Sequence, residues 1–205
     1  MISFITSTSI STNRIFHRSN DLFSNSQRNS LRFRSQTRQN AVLFMTMNGN
    51  TPRVLCLGSA GIDMLARVDQ YPSPDQKIRT TQVDYMGGGN AANTASCLQR
   101  LSSDSIQVVL VTKLGNDANG IRICSELECE GIDTSLIIKK DGLNSPFTYV
   151  IVDSLTRTRT CIHTPIEEEL SEEDVHESWL DNVQLVHLDG RHTLAAIKVA
   201  KLANA

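Results

Sequence analysis

The segment Gly87-Gly88-Gly89-Asn90-Ala91-Ala92-Asn93 joins a strand-like stretch to a helix whose apolar positions follow helical spacing. The three glycines remove side chains where a backbone must approach a ligand closely. Asn90 is expected to cap the helix, and Asn93, one turn later, to place an amide in the same space. Because a carboxamide both donates and accepts hydrogen bonds, it suits sugar hydroxyls. The alternative is a flexible turn followed by a capped helix.

Apolar strand-like runs alternate with helical segments around this motif. Strands are predicted at residues 54–58, 106–112 and 183–188, and helices at 91–101, 117–130, 171–180 and from 193 onward. This alternation predicts an α/β fold with a doubly wound, mostly parallel sheet. Two stretches at about 75–86 and 146–163 are rich in β-branched residues. We expect them to form a small antiparallel lid over the carboxyl ends of the parallel strands.

Residues 1–51 differ in composition from the predicted folded domain at 52–205. They contain six arginines and one acidic residue, Asp21, in a background of Ser, Thr and Asn. This composition is typical of an organelle transit peptide and favours chloroplast import, with a mitochondrial or cytoplasmic location as the alternatives. A merely disordered tail is the other interpretation.

The remaining chain is acidic, with 14 basic and 21 acidic residues from Arg53 onward. The absence of a basic stripe argues against nucleic acid as a partner, and no apolar run reaches the roughly 18 residues of a membrane span. Small molecules are therefore the expected partners. The five cysteines form no C-x-x-C pair, and we expect them to be reduced, with Cys97 and Cys124 packed as small hydrophobes. A redox or metal role is the alternative.

Common nucleotide-binding motifs do not match. Gly58-Ser59-Ala60-Gly61-Ile62-Asp63 lacks the G-x-G-x-x-G spacing, and Gly120 is followed by Ile121-Arg122 rather than by Lys and Ser or Thr. The acidic run at 167–174 could suggest a metal site, but it is more typical of a capped, acid-rich helix start.

Four segments resemble sugar kinases of the ribokinase (PfkB) family, over roughly residues 54–205. Gly58 to Asp63 is similar to the family's G-x-x-x-x-D, and Gly88 to Asn93 to its G-G-x-x-x-N, in the form seen in ketohexokinases. The segments 114–120 and 130–134 resemble family scaffold motifs, with Asp117 capping a helix and Gly131 ending it. The segments 157–163 and 187–191 resemble a lid strand and the H-I-E-G-R motif.

The resemblance implies ATP-dependent phosphorylation of a sugar hydroxyl, with ATP and Mg²⁺ as cofactors and a ketohexose, pentose or related polyol as substrate. A nucleoside kinase is a further option within the enzyme class. The resemblance also implies a homodimer formed through the lid, with lid strands covered within one chain as the alternative. The implied substrate-binding residues are Asp63, Gly88, Gly89, Asn90, Asn93 and Asp189. Arg159 and Arg191 are expected near phosphate, with ion-pair or capping roles as their alternative.

The chain departs from the family because it lacks the N-x-x-E segment and the D-T-x-G-A-G-D motif that supplies the catalytic base. It resembles the N-terminal part only, with no catalytic residue and no metal ligand of its own. We therefore expect the polypeptide to supply the sugar site and lid and to be inactive as a kinase by itself. The alternative is a catalytically inactive kinase-fold protein that serves as a binding or regulatory subunit in an organelle.

Overall fold

The structure, a computed structural model, describes residues 3–6, 51–102 and 105–205. The strands in chain order are β1 Ser3–Thr6, β2 Arg53–Leu57, β3 Gly61–Val68, β4 Gln82–Gly88, β5 Gln107–Val111, β6 Lys113–Gly115, β7 Ile138–Lys140, β8 Phe147–Asp153, β9 Thr158–Thr164 and β10 Val183–Leu188. The helices are α1 Asn90–Ser102, α2 Ala118–Cys129 and α3 Thr193–Ala203, with a 3₁₀ turn at Glu177–Leu180.

A parallel main sheet forms the centre of the molecule, in the order β1-β10-β2-β5. Its apolar strands are buried on both faces, as parallel strands in doubly wound folds are. One face packs against α1 and α2 around Val54, Cys56 and Leu110. The other packs against α3 and the 3₁₀ turn around Leu55 and Leu57. The predicted α/β, doubly wound and mostly parallel fold is confirmed.

A second sheet, the lid, has the order β4-β3-β8-β9. Its outer pairs are antiparallel as predicted, but the central pair β3 and β8 is parallel. The strand predicted near 75–86 begins only at Gln82, and the stretch at 146–163 forms a hairpin of two strands. Strand β3 was not predicted, because its pattern alternates weakly and its ladder partners on β4 and β8 lie 15 or more residues away.

The helix predicted at 171–180 is wrong, because this stretch holds a turn and the 3₁₀ segment Glu177–Leu180. The backbone amide and the hydroxyl of Ser171 both donate to Asp174, as at a helix start. However, Asp174 also pairs with the buried Lys113, and His176 is extended at φ −109° and ψ 140°. The stretch therefore makes one turn near Asp174 and continues as extended backbone at His176 to the 3₁₀ segment.

The prediction that Cys97 and Cys124 pack as small hydrophobes is correct for Cys124 and wrong for Cys97. Cys56 and Cys124 are buried, whereas Cys97, Cys129 and Cys161 are exposed. Burial and the nearby Asp189 charge raise the pKa of the Cys56 thiol to about 12, which makes this thiol inert. Cys97 lies one turn after Asn93 on α1 and lines an open cleft, where its thiol is exposed.

The predicted leader falls largely outside the described residues. Within it the structure describes Ser3–Thr6, which forms the edge strand β1 beside β10, and Thr51. Among the described residues, no helix combines the length and the hydropathy required to cross a lipid bilayer.

Candidate functional site

A cavity of 660 Å³ lies between the lid and the carboxyl ends of the main-sheet strands. This is the edge at which open α/β sheets bind ligands. Six of the eight predicted site residues line it: Asp63, Gly89, Asn90, Asn93, Arg159 and Arg191. Gly88 instead lines an adjoining cleft of 480 Å³, together with Asn93. Asp189 follows β10 directly and lines neither the cavity nor the cleft.

The glycines of the motif permit close approach of the segment that follows β2. A Cβ at Gly88 would lie 2.6 Å from Oδ1 of Asp63, and a Cβ at Gly89 would lie 2.4 Å from the carbonyl oxygen of Ser59. Gly89 also has a φ of +95°, which only glycine adopts without strain. The glycines therefore make room for Asp63 and for the 59–60 backbone, rather than only for a ligand.

The N-terminus of α1 is capped by residues that are distant in sequence. The Oγ and carbonyl oxygen of Ser59 accept from the amides of Asn90 and Ala92, at 3.0 and 3.2 Å. The Ala91 amide donates to Oδ2 of Asp189 at 3.0 Å. Asn90 is thus the first helical residue, and its predicted capping role belongs to Ser59 and Asp189. An N-cap side chain competes poorly when two tertiary acceptors already occupy the first amides.

Asp189 joins three segments at this point. Its Oδ2 also accepts from the amide and hydroxyl of Ser59, both at 2.8 Å, and its Oδ1 accepts from the Arg191 amide at 2.8 Å. A Cβ at Gly58 would lie 2.1 Å from this carboxyl group, so Gly58 leaves room for it. Both oxygens are engaged within the protein, and a role in binding substrate remains a prediction.

The two predicted phosphate-proximal arginines line the cavity from different sides, Arg159 on β9 and Arg191 after β10. In the described part of the chain, neither guanidinium lies within 4 Å of a carboxylate. The alternative ion-pair role is therefore not seen here, although their proximity to phosphate stays a prediction.

Two buried residues that were not predicted as site residues also line the cavity, Thr112 and His192. The ring Nδ1 of His192 accepts from the Leu170 amide at 3.3 Å, so this nitrogen carries no proton. Nε2 must then hold the proton and face Oγ1 of Thr112 at 3.4 Å. Burial lowers the pKa of His192, against the opposing charges of Glu169 and Asp189. The neutral ring thus links Leu170, in the part of the cavity wall formed by residues 165–174, to Thr112 at the end of β5.

A buried lysine, Lys113, forms ion pairs with the same wall segment. Lys113, at 4% side-chain exposure, lies 2.7 Å from Glu168 and 3.5 Å from Asp174. Burial alone lowers the pKa of Lys113, but hydrogen bonding to Glu168 and the nearby carboxylates outweigh it and raise the pKa. Lys140 also pairs with Glu168. The acidic run at 167–174 is therefore joined to lysines, and it positions Glu169 at the cavity wall.

No group of three His, Cys, Asp or Glu side chains suited to a metal ion occurs among residues 3–6, 51–102 and 105–205. The residues that line the cavity offer hydrogen bonding by carboxylate, amide and hydroxyl groups, with two guanidinium groups nearby. That combination suits a polyhydroxylated ligand and a neighbouring anion.

Comparison with protein families shows that residues 51–205 match the model described as the pfkB family carbohydrate kinase. Curated relatives include an ATP-dependent ribose-1-phosphate kinase of Halopiger xanaduensis, 28% identical over 74% of this chain and 50% of that protein. Ketohexokinase of Mus musculus is 23% identical over 72% of this chain and 49% of its own length. The chain thus spans about half the length of the curated relatives it matches.

Solved structures share the fold. One from Agrobacterium tumefaciens aligns with a TM-score of 0.65 at 25% identity, over 76% of this chain and 50% of that one. Ribokinase of Arabidopsis thaliana, solved with ribose and ATP, aligns with a TM-score of 0.61 at 22% identity, over 74% of this chain and 49% of its own. The ribokinase-like architecture is therefore shown.

Proposed function

The chain belongs to the pfkB family of carbohydrate kinases, and from this we propose that it serves the ATP-dependent phosphorylation of a sugar hydroxyl. The observation that carries the proposal is the cavity itself. It brings Asp63, Asn90 and Asn93 together under the lid, although Asp63 and Asn93 are 30 residues apart in sequence. These side chains match the mixed donor and acceptor pattern of a sugar.

Asp63 and the asparagines are proposed to bind and orient the sugar. A carboxylate accepts hydrogen bonds from hydroxyls, and holding a reactant in place supplies much of the rate gain in phosphoryl transfer. The lid covers the same space, which excludes water from the phosphoryl group. ATP supplies that group when it is bound. Arg159 and Arg191 are proposed to lie near its phosphates.

The magnesium ion implied by the family resemblance has no complete site among the described residues. The roles proposed for Asp63, the asparagines and the lid do not depend on it. Because the matched relatives are about twice as long, we propose that the catalytic base and metal ligands belong to the half of the family fold that this chain does not span. The chain would then supply the sugar site and the lid and be inactive alone.

The proposed substrate is a ketohexose, a pentose or a related polyol. The names of the relatives support a sugar in general, since they include a ribose-1-phosphate kinase, a ketohexokinase and a ribokinase. The second candidate function is a binding or regulatory subunit without catalysis. It would bind sugar at the same cavity. Binding by this chain therefore does not separate the two proposals, whereas turnover once the other half of the family fold is supplied would.

Substitution of Asp63 tests the site. Asp63→Ala should weaken sugar binding by about 2 kcal/mol, roughly thirtyfold, because a charged hydrogen-bond acceptor is lost. Calorimetric titration with ribose and fructose measures the affinity. Asp69→Ala, at an exposed position just beyond β3, is the matched control and should bind as the parent does. Unchanged affinity in Asp63→Ala would rule out this substrate site.

Two further proposals concern the protein in the cell. A transit peptide at residues 1–51 would direct it to the chloroplast, and the mature N-terminus, found by mass spectrometry of the natural protein, should then lie near residue 50.

Pairing through the lid would give a homodimer. It is supported by the outer edge of β4, which has no strand partner among the described residues and exposes Val83, Tyr85 and Met86. Sedimentation analysis would measure this association.

A further inference from the structure

Three lid strands place a row of polar side chains across the cavity. Asp63 on β3 is directly opposite Thr148 on β8, and Thr148 is directly opposite His163 on β9. All three residues line the cavity. Directly opposite residues share one face of a sheet, so these side chains stand side by side toward the same space.

The adjacent row along the same strands is apolar. It consists of Leu65, Val150 and Cys161, which also line the cavity. Of these two rows on β3, β8 and β9, the polar groups that line the cavity therefore lie in the row that contains Asp63, which continues on β4 as Met86. A uniform alternation of polar and apolar faces would not produce this difference, because both rows lie on the inner face.

Thr148 and His163 are joined to each other. Oγ1 of Thr148 lies 3.1 Å from Nδ1 of the His163 ring. This contact uses one ring nitrogen, and no hydrogen bond to Nε2 is seen in the described part of the chain. Two hydrogen-bonding groups held together beside a carboxylate are pre-positioned, so binding would cost little side-chain entropy.

We propose that Thr148 and His163 are specificity-determining residues that bind a second hydroxyl of the sugar held by Asp63. The inference rests on the proposed function and deepens it. Neighbouring strands lie about 4.8 Å apart, so the three positions span about 10 Å, which a single sugar can bridge. A substrate that lacks the hydroxyl facing this pair would leave it unsatisfied and bind less tightly.

A neutral hydroxyl fits this row better than an anion does. The Asp63 carboxylate lies in the same row and would repel a phosphate. Arg159, the cationic residue on the inner face of β9, is four residues from His163 and therefore about 13 Å away along the strand. The lid thus has a hydroxyl-binding row at Asp63 and a cationic position two rows away.

The test uses deoxy sugars as probes. His163→Leu and Thr148→Val are compared with the unaltered protein by calorimetric binding of ribose, fructose and their monodeoxy analogues. Of ribose and fructose, the sugar that binds more tightly to the unaltered protein is expected to bind about tenfold more weakly to each variant. One deoxy analogue should bind equally well to the variant and to the unaltered protein. Ile162→Val, on the outer face of β9, is the control.

The outcomes separate the inference from the function on which it rests. If Asp63→Ala loses binding while both lid variants bind every sugar normally, the inference is wrong and the proposed sugar site stands. An equal loss for all sugars and analogues, or a lowered melting temperature that explains the loss, would also overturn it. If the unaltered protein binds none of the sugars, the proposed function is wrong, and the inference that rests on it is wrong as well.

Discussion

The glycine motif shows how single residues fix the geometry of the candidate site. Gly88 and Gly89 are adjacent, yet they are required by different neighbours. Gly88 leaves room for the Asp63 carboxyl group, which can rotate, whereas Gly89 leaves room for the backbone of Ser59 and Ala60, which cannot. Adding a methyl group is therefore expected to weaken ligand binding at Gly88 and to weaken folding at Gly89.

Two alanine substitutions should separate these costs. Gly88→Ala should keep the fold and displace Asp63, which weakens sugar binding by about tenfold or more. Gly89→Ala should lower the free energy of unfolding by at least about 2 kcal/mol, because the residue has a φ of +95° and would meet backbone atoms. Urea denaturation and calorimetry measure the two quantities. Similar losses of stability in both variants would contradict this division.

At the scale of elements, helices α1 and α2 are capped at their N-termini in different ways. Asp117 caps α2 locally, since its Oδ1 accepts from the Gly120 amide at 2.7 Å. Its two oxygens also accept from the hydroxyl and the amide of Ser145, at 2.6 and 3.0 Å, which ties α2 to the segment before β8. Burial raises the pKa of Asp117, but these hydrogen bonds outweigh it and hold the pKa below its ordinary value. In contrast, α1 is capped entirely by Ser59 and Asp189.

Removing the local cap should destabilise the protein. Asp117→Ala is expected to lower the free energy of unfolding by about 2 kcal/mol, because the first turn of α2 and the buried Ser145 hydroxyl both lose a partner. Ser125→Ala, at an exposed position of the same helix, is the control and should change stability by less than about 0.5 kcal/mol. Equal effects of the two changes on urea midpoints would show that the cap contributes nothing.

At the scale of the whole molecule, buried polar contacts hold the cavity wall at 165–174 against the main sheet. Lys113 reaches this wall from β6, and His192 reaches it from the start of α3. Lys113 and Lys140 hold the pKa of Glu168 at about 2, mainly through hydrogen bonds. The apolar clusters on the two sheet faces stabilise the layers, whereas these polar contacts position the wall.

Lys113→Met should lower the free energy of unfolding at pH 7 by about 2 kcal/mol. This is less than the roughly 3–5 kcal/mol for breaking a fully buried pair, because the two carboxylates are partly exposed. The ordinary pKa of Glu168 is 4.5, so its stabilising contribution is complete above that pH and is lost as the pH falls toward 2. The difference between parent and variant should therefore shrink over this range.

Denaturation by urea at a series of pH values between 2 and 7 measures this dependence. Lys140→Met is the matched control, because Lys140 pairs with the same carboxylate but is 48% exposed, and its loss should cost less. A difference between parent and Lys113→Met that stays constant across the pH range would exclude the ion pair as its cause.

Much of the architecture could be predicted from local patterns. The three apolar strands of the main sheet, helices α1 and α2 and the start of α3 follow from periodicity, and Asp117 and Gly131 mark the ends of α2 as expected. The missed strand β3 and the wrongly predicted helix at 171–180 have a common cause. Both depend on partners distant in sequence, β4 and β8 in one case and Lys113 in the other.

The sequence by itself determined the fold class and the family, and it predicted the residue types of a sugar site, because periodicity and short motifs are local properties. Only the tertiary structure showed that Asp189 and Ser59 cap α1, that His192 is neutral, and that Thr148 and His163 extend the row of Asp63. Strand register and long-range hydrogen bonds set these relations. They depend on how the layers pack, which no local pattern in the sequence encodes.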